Sequence, residues 1–222
     1  MGKLRDNIQA VHRQLEADLT SGDPKAESLA GMLRGELDAA RKSLGMQSLP
    51  TATDVWIGSL FRAPANGVLI LGESTYGEDA PLSEYVPSWC SGAQPDPTFT
   101  RIYNAFSGDA PSAANPDKRE AFWATIAFSN FVQQPVGPTR VHRPTSDDYR
   151  RAAAALPALL QKVKPHGILI LGKEQAEFSM PVSLGYGIPC VASRHPTAYG
   201  VKTTELKDAW DELRCKISGA RA

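Results

Sequence analysis

The sequence predicts an α/β protein: a three-layer αβα sandwich around a mostly parallel four-stranded sheet, with an N-terminal helical hairpin. Three observations point there. Val68 to Leu71 and Ile168 to Leu171 are runs of four apolar residues, each closed by a glycine, Gly72 and Gly172. Runs of that length are the mark of strands buried on both faces, as in parallel sheets covered by helices. A further candidate strand, Ile188 to Ser193, leads into Arg194-His195-Pro196-Thr197. Between the strand-like runs lie segments of helical periodicity, and that alternation implies right-handed crossovers and helices on both sheet faces.

In chain order, Leu4, Ile8, Val11, Leu15 and Leu19 repeat at helical spacing. Asp23-Pro24 then restarts a helix as N-cap and first residue, and Leu29, Met32, Leu33, Leu37 and Leu44 give it an apolar stripe. Residues 1–50 therefore form a helical hairpin extension, and 51–222 the α/β domain. Residues 50–66 read as a connector with an apolar patch at Val55, Trp56, Ile57, Leu60 and Phe61. Ala80 to Thr98 is rich in proline, serine and aromatics and reads as a long loop, a kind usually functional or disordered. A short helix follows over 100–108, a loop over Pro111–Pro116, and a strand over Phe122–Phe131 that ends in Ser129-Asn130. Gln133 to Thr145 is a second proline-rich loop. Ser146 with Asp147 and Asp148 starts a helix reaching about Val163, with a kink expected at Pro157. A helix from Lys173 and a closing helix from Thr204 to Ile217 complete the pattern.

Lysines and arginines number 24 and aspartates and glutamates 24, so no global field draws the chain to nucleic acid or membrane; a nucleic-acid partner needs a local basic patch. No apolar run approaches the roughly 20 residues that span a bilayer, and the polar N-terminus does not resemble a signal peptide. A cytoplasmic monomer is the expectation. Cys90, Cys190 and Cys215 are scattered and odd in number, which argues against a disulfide framework, a zinc site or an iron–sulfur site. Inert buried thiols are expected instead.

Glu73, Asn130 and His195 fall at or just past strand ends, where ligands bind in open α/β sheets. Their order resembles the uracil-DNA glycosylase superfamily over residues 67–200. Three segments carry the resemblance. Gly72-Glu73-Ser74-Thr75-Tyr76-Gly77 sits where the family has its first motif. Lys164-Pro165-His166-Gly167 through Leu171-Gly172-Lys173-Glu174-Gln175-Ala176 is similar to the Lys-Pro, strand, Leu-Gly-x-x-Ala segment of the iron–sulfur branch. Arg194-His195-Pro196-Thr197 is similar to the second motif, His-Pro-Ser.

The resemblance implies hydrolysis of an N-glycosidic bond in DNA after the nucleotide is extruded from the duplex. His195 then stabilises the departing base, and Asn130, with an amide that both donates and accepts, reads a pyrimidine edge. Glu73 matches the glutamate of the iron–sulfur branch's Gly-Glu-Ala-Pro-Gly and positions water or balances the cationic sugar; Glu78 and Asp79 are alternates. Tyr76 walls off the pyrimidine 5-position, Thr197 closes the second motif, and Phe99 or Trp89 stacks on the base. Tyr199 stands at the wedge position that fills the vacated stack, and Arg140, Arg143, Arg194 and Lys202 are candidate phosphate contacts. No cofactor and no metal are expected, since the four cluster cysteines are absent.

Two departures stand out. Ser74 occupies the position of a water-activating aspartate in the best-known branch, and Thr75 that of a proline. The mechanism of that branch does not transfer intact. The substrate is thus left as uracil or a modified pyrimidine, including a hypermodified cytosine of phage DNA in a defensive role, because parts of the superfamily act in defence. The alternative is a glycosylase-like module that binds a nucleotide or nucleic-acid end without catalysis.

Overall fold

The computed structural model describes residues 54–61, 67–75, 81–107, 115–137 and 142–219. The expected helical hairpin, Tyr76, Glu78, Asp79 and Arg140 lie outside those residues.

Five strands form one sheet in the order β1-β3-β2-β4-β5: β1 (Val55–Ile57), β2 (Val68–Ser74), β3 (Ala127–Val132), β4 (Gly167–Leu171) and β5 (Cys190–Ser193). β2, β3, β4 and β5 pair in parallel, and β1 runs antiparallel along β3. The fold is the expected α/β sandwich with one strand more than anticipated. The extra strand is the Val55-Trp56-Ile57 patch that reads as connector: three residues are too few for periodicity to reveal.

Strand alternation sorts the core into two halves. On one face Val68, Ile70, Phe128 and Leu169 pack under helices α1 (Leu82–Ser91), α2 (Pro97–Phe106), α3 (Pro116–Ala124) and α6 (Thr203–Gly219). On the other, Leu69, Ala127, Phe131, Ile168 and Ile170 pack under α4 (Ser146–Val163) and α5 (Lys173–Gly185). Leu69, Ile70 and Leu71 have no exposed surface, and each such side chain contributes about 1.5–3 kcal/mol by leaving water. Among the described residues no helix is long and apolar enough to cross a membrane.

Three sequence expectations are corrected. The loop over 80–98 is mostly α1: Leu82, Val86, Trp89 and Cys90 are buried at helical spacing, a pattern masked by Pro87 inside the helix. The short helix at 100–108 is α2, three residues earlier, because Asp96 caps it through the Phe99 N–H and Pro97 starts it. The strand over 122–131 divides into α3, capped by Asn115, and β3, which starts only at Ala127. Helix α4 spans the expected residues, with Thr145 and Asp148 closing a capping box and Pro157 buried within it. Of the cysteines, Cys90 and Cys190 are buried and Cys215 is exposed.

Candidate active site

A pocket of about 510 Å³ opens at the carboxyl ends of the parallel strands. Glu73, Asn130 and His195, separated by 57 and 65 positions in sequence, all line it, together with Ser74, Thr75, Phe99, Arg143 and Thr197. Both Glu73 and Asn130 belong to their strands rather than to the loops beyond.

Asn130 lies opposite Gly72 in the β2–β3 register. A Cβ on residue 72 would stand 2.3 Å from Asn130 Oδ1 and 3.0 Å from Phe128 Cζ. Glycine at 72 is therefore what lets the asparagine side chain lie across β2. Gln133 Nε2 donates to the Asn130 carbonyl at 2.5 Å and to Ser129 Oγ at 2.7 Å, fixing the backbone beneath.

His195 sits in the turn after β5. The Thr197 backbone N–H donates to His195 Nδ1 at 3.3 Å, and Thr197 Oγ1 is 3.0 Å from the same nitrogen. A backbone N–H can only donate, so Nδ1 accepts and the neutral ring carries its proton on Nε2. The turn is held from outside by Arg101 of α2, whose Nη1 donates to the Pro196 carbonyl at 2.6 Å and the Val201 carbonyl at 3.4 Å.

Glu73 leaves β2 on the opposite sheet face from Asn130, among the residues under α4, and is 4% exposed. Its Oε1 accepts from Tyr149 Oη at 2.8 Å and from Arg143 Nη2 at 2.8 Å. Its Oε2 accepts no hydrogen bond among the described residues. Burial first, and then the bond to Glu73, push the Tyr149 phenol well above the usual tyrosine range. The hydroxyls of Ser74 and Thr75 are buried in the pocket lining and have no hydrogen-bond partner among the described residues. A buried hydroxyl without a partner costs about 1–3 kcal/mol, so both favour a ligand or water.

The pocket roof comes from α1 and α2. Asp54 carboxylate oxygens accept the Leu82 N–H at 3.0 and 3.1 Å, capping α1 in place of Pro81. Asp96 Oδ2 accepts from Tyr85 Oη at 2.7 Å. Phe99 and Phe128 give the apolar wall, their rings 5.0 Å apart and edge to face.

Several sequence assignments change. Trp89 does not line the pocket; it is a core residue, 2% exposed, with Arg119 at 4.7 Å over its ring and Phe99 at 6.0 Å. Arg143 is not a separate surface cation but the ion-pair partner of Glu73, shared with Glu174 at 3.4 Å. Arg194 forks onto the Glu205 carboxylate and also donates to the Tyr199 and Gly200 carbonyls, tying the His195 turn to α6. That pairing holds the Glu205 carboxyl below its usual range. Lys202 is exposed, and Tyr199 is fully exposed beyond the end of β5. Tyr149, Arg101, Asp54 and Phe128 carry no sequence signal of their own, since each acts through a partner remote in the chain; Asp96 has one, as an N-cap before Pro97. Gly72 is the exception: a glycine inside a buried strand, two residues before its end, invites the question of what approaches it.

No protein-family model matches the chain, and no curated protein matches it either.

Proposed function

We propose that the chain is a monofunctional DNA glycosylase of the uracil-DNA glycosylase type, acting in the cytoplasm on uracil or a modified pyrimidine and leaving an abasic site. One observation supports this above others: a glutamate, an asparagine and a histidine from three strand ends line a single pocket of about 510 Å³. That lies within the roughly 300–1,000 Å³ of small-ligand sites, enough for an extruded nucleoside.

In this reading the base enters between Phe99 and Phe128 and the polar strand ends, and Asn130 pairs with its edge. The C1′–N bond breaks and its electron pair passes to the base. His195 Nε2–H donates to the base oxygen on which that charge settles, an interaction whose loss typically costs about 2.7–4 kcal/mol. Water oxygen bonds to C1′, its proton leaves to solvent, and the base takes up a proton in turn. Ser74 Oγ and Thr75 Oγ1, buried without a partner among the described residues, and Glu73 Oε2 are the groups assigned to hold that water. Exposed Tyr199 serves as the wedge in the duplex.

A second reading, a binding module without catalysis, is favoured by the engagement of Glu73 with Arg143 and Tyr149 and by serine at position 74. The two part in one assay. Purified protein is incubated with single- and double-stranded oligonucleotides carrying uracil, hypoxanthine or modified cytosines, and alkali-labile sites are scored. Base release lost in His195→Ala and Asn130→Ala supports the enzyme. Binding without release across the panel overturns it.

A further inference from the structure

If the protein is a glycosylase, the surroundings of Glu73 say how its carboxylate works, and the inference rests on that reading. A carboxylate 4% exposed needs partners to stay in place. Two donors from different elements meet on one atom, Oε1: Tyr149 Oη from α4 and Arg143 Nη2 from the loop before it. The two differ in kind. Tyr149 is 4% exposed, with its ring stacked against Phe131 at 6.3 Å and Phe178 at 5.3 Å. It stands in the first turn of a helix whose start is locked by the Thr145–Asp148 box. The phenol has no room to swing. Arg143 is 54% exposed on its side chain and shared with Glu174, so it supplies charge and can be given up to solvent.

A carboxylate with both donors on one oxygen is fixed in rotation, and the other oxygen keeps its lone pairs. Glu73 leaves the sheet on the α4 face, away from Asn130 and Ser74, and without these donors it would have no reason to keep an oxygen at the pocket rim. We propose that Tyr149 and Arg143 are positioning residues that lock the Glu73 carboxylate, Oε1 held and Oε2 presented to the reacting sugar and its water. Tyr149 sets the orientation and Arg143 balances the charge. Glu73 then acts as a fixed anion opposite a developing cation, and the proton of the attacking water goes to solvent. Such preorganised charge is the usual largest contribution to an enzymatic rate.

The test uses Tyr149→Phe, which keeps the ring stacking and removes only the hydroxyl, with Arg143→Lys and Arg143→Gln beside it. Base release is resolved into kcat and KM. Affinity is measured for oligonucleotides carrying a cationic pyrrolidine or a neutral tetrahydrofuran in place of the target sugar. Tyr149→Phe is expected to lower kcat about ten- to a hundredfold, the size of one hydrogen bond to a charged group, with KM little changed. The same variant is expected to lose most of the wild-type preference for the cationic sugar. Arg143→Lys should retain kcat better than Arg143→Gln. Wild-type kcat in Tyr149→Phe, or changes confined to KM in both positions, overturns the lock and leaves the glycosylase reading standing. A rise in KM with a shallower salt dependence in Arg143→Gln makes that residue a phosphate contact and also overturns it. Absence of base release from every oligonucleotide by the wild type removes the glycosylase reading, and the lock's catalytic role with it.

Discussion

Gly72→Ala is the sharpest perturbation of the site. Residue 72 is not among the glycines with positive φ, so alanine meets no backbone strain there. Exchanging glycine for alanine inside a strand even gains about 0.5–1 kcal/mol. The new methyl, however, would stand 2.3 Å from Asn130 Oδ1 and 3.0 Å from Phe128 Cζ. The amide is the end of a half-buried side chain and can rotate away, while the buried Phe128 ring must yield a few tenths of an ångström. Overpacking of this size costs about 1–3 kcal/mol, leaving a net loss of roughly 0–2.5 kcal/mol once the glycine gain is subtracted. That corresponds to a fall in Tm of at most about 10 °C for a domain of this size. Activity should suffer far more. With the amide displaced from the base edge, base release should fall about a hundredfold, as in Asn130→Ala. The double variant decides the matter. Removing Asn130 Oδ1 removes the closer of the two clashes and leaves only the approach to Phe128, so Gly72→Ala in an Asn130→Ala background should cost no further activity and recover part of the stability. The expected coupling in thermal unfolding is about 1 kcal/mol or more. Additive losses in the cycle, or wild-type base release by Gly72→Ala, would show that the two residues do not interlock.

Other outcomes follow from the same geometry. Arg101→Ala releases the Pro196 and Val201 carbonyls and loosens the His195 turn; base release should drop roughly tenfold, measured against a change of only a few degrees in Tm by calorimetry. Tyr199→Ala should reduce excision from duplex DNA severalfold while sparing single-stranded substrate; equal losses on both would refute the wedge. Burial first, and then Glu120, push the Cys90 thiol up to about 11 from 9.0, against the pull of Arg119. The folded protein thus holds that proton more tightly than the unfolded chain. The contribution to stability is whole below pH 9 and is lost as pH climbs toward 11. Cys90→Ala should flatten that decline in denaturant titrations, and a disulfide reagent at pH 8 should modify only exposed Cys215 in the native state.

The parallel centre of the sheet was legible because β2 and β4 are buried on both faces, and burial on both faces writes itself as an unbroken apolar run. The region between β2 and β3 was not. In Phe122-Trp123-Ala124-Thr125-Ile126-Ala127-Phe128 the apolar character runs straight across the boundary of α3 and β3, and periodicity alone cannot divide it. The loop assigned to Pro111–Pro116 ends in the cap-and-start pair Asn115-Pro116, from which α3 begins. In α1 the spacing of Leu82, Val86, Trp89 and Cys90 was helical all along, hidden by Pro87 and the serines around it. At the site, Glu73, Asn130 and His195 could be picked out because strand ends in such folds gather ligands. Their supports could not. Tyr149 lies 76 positions from Glu73 and Arg101 lies 95 from Pro196, and nothing local marks Tyr149 as different from other buried side chains or Arg101 as different from other exposed cations.

Asp54 fastens more of the molecule than its place before a three-residue strand suggests. Its N–H goes to Gln133, its carbonyl takes the Ser129 hydroxyl, and its carboxylate holds the first amide of α1. The lid over the binding cavity is thereby riveted to the outermost strand, on the opposite side of β3 from β2. Breathing at that border and breathing of the lid become one event, and a ligand seated beneath α1 should quiet amide exchange in Val55–Ile57 without touching them.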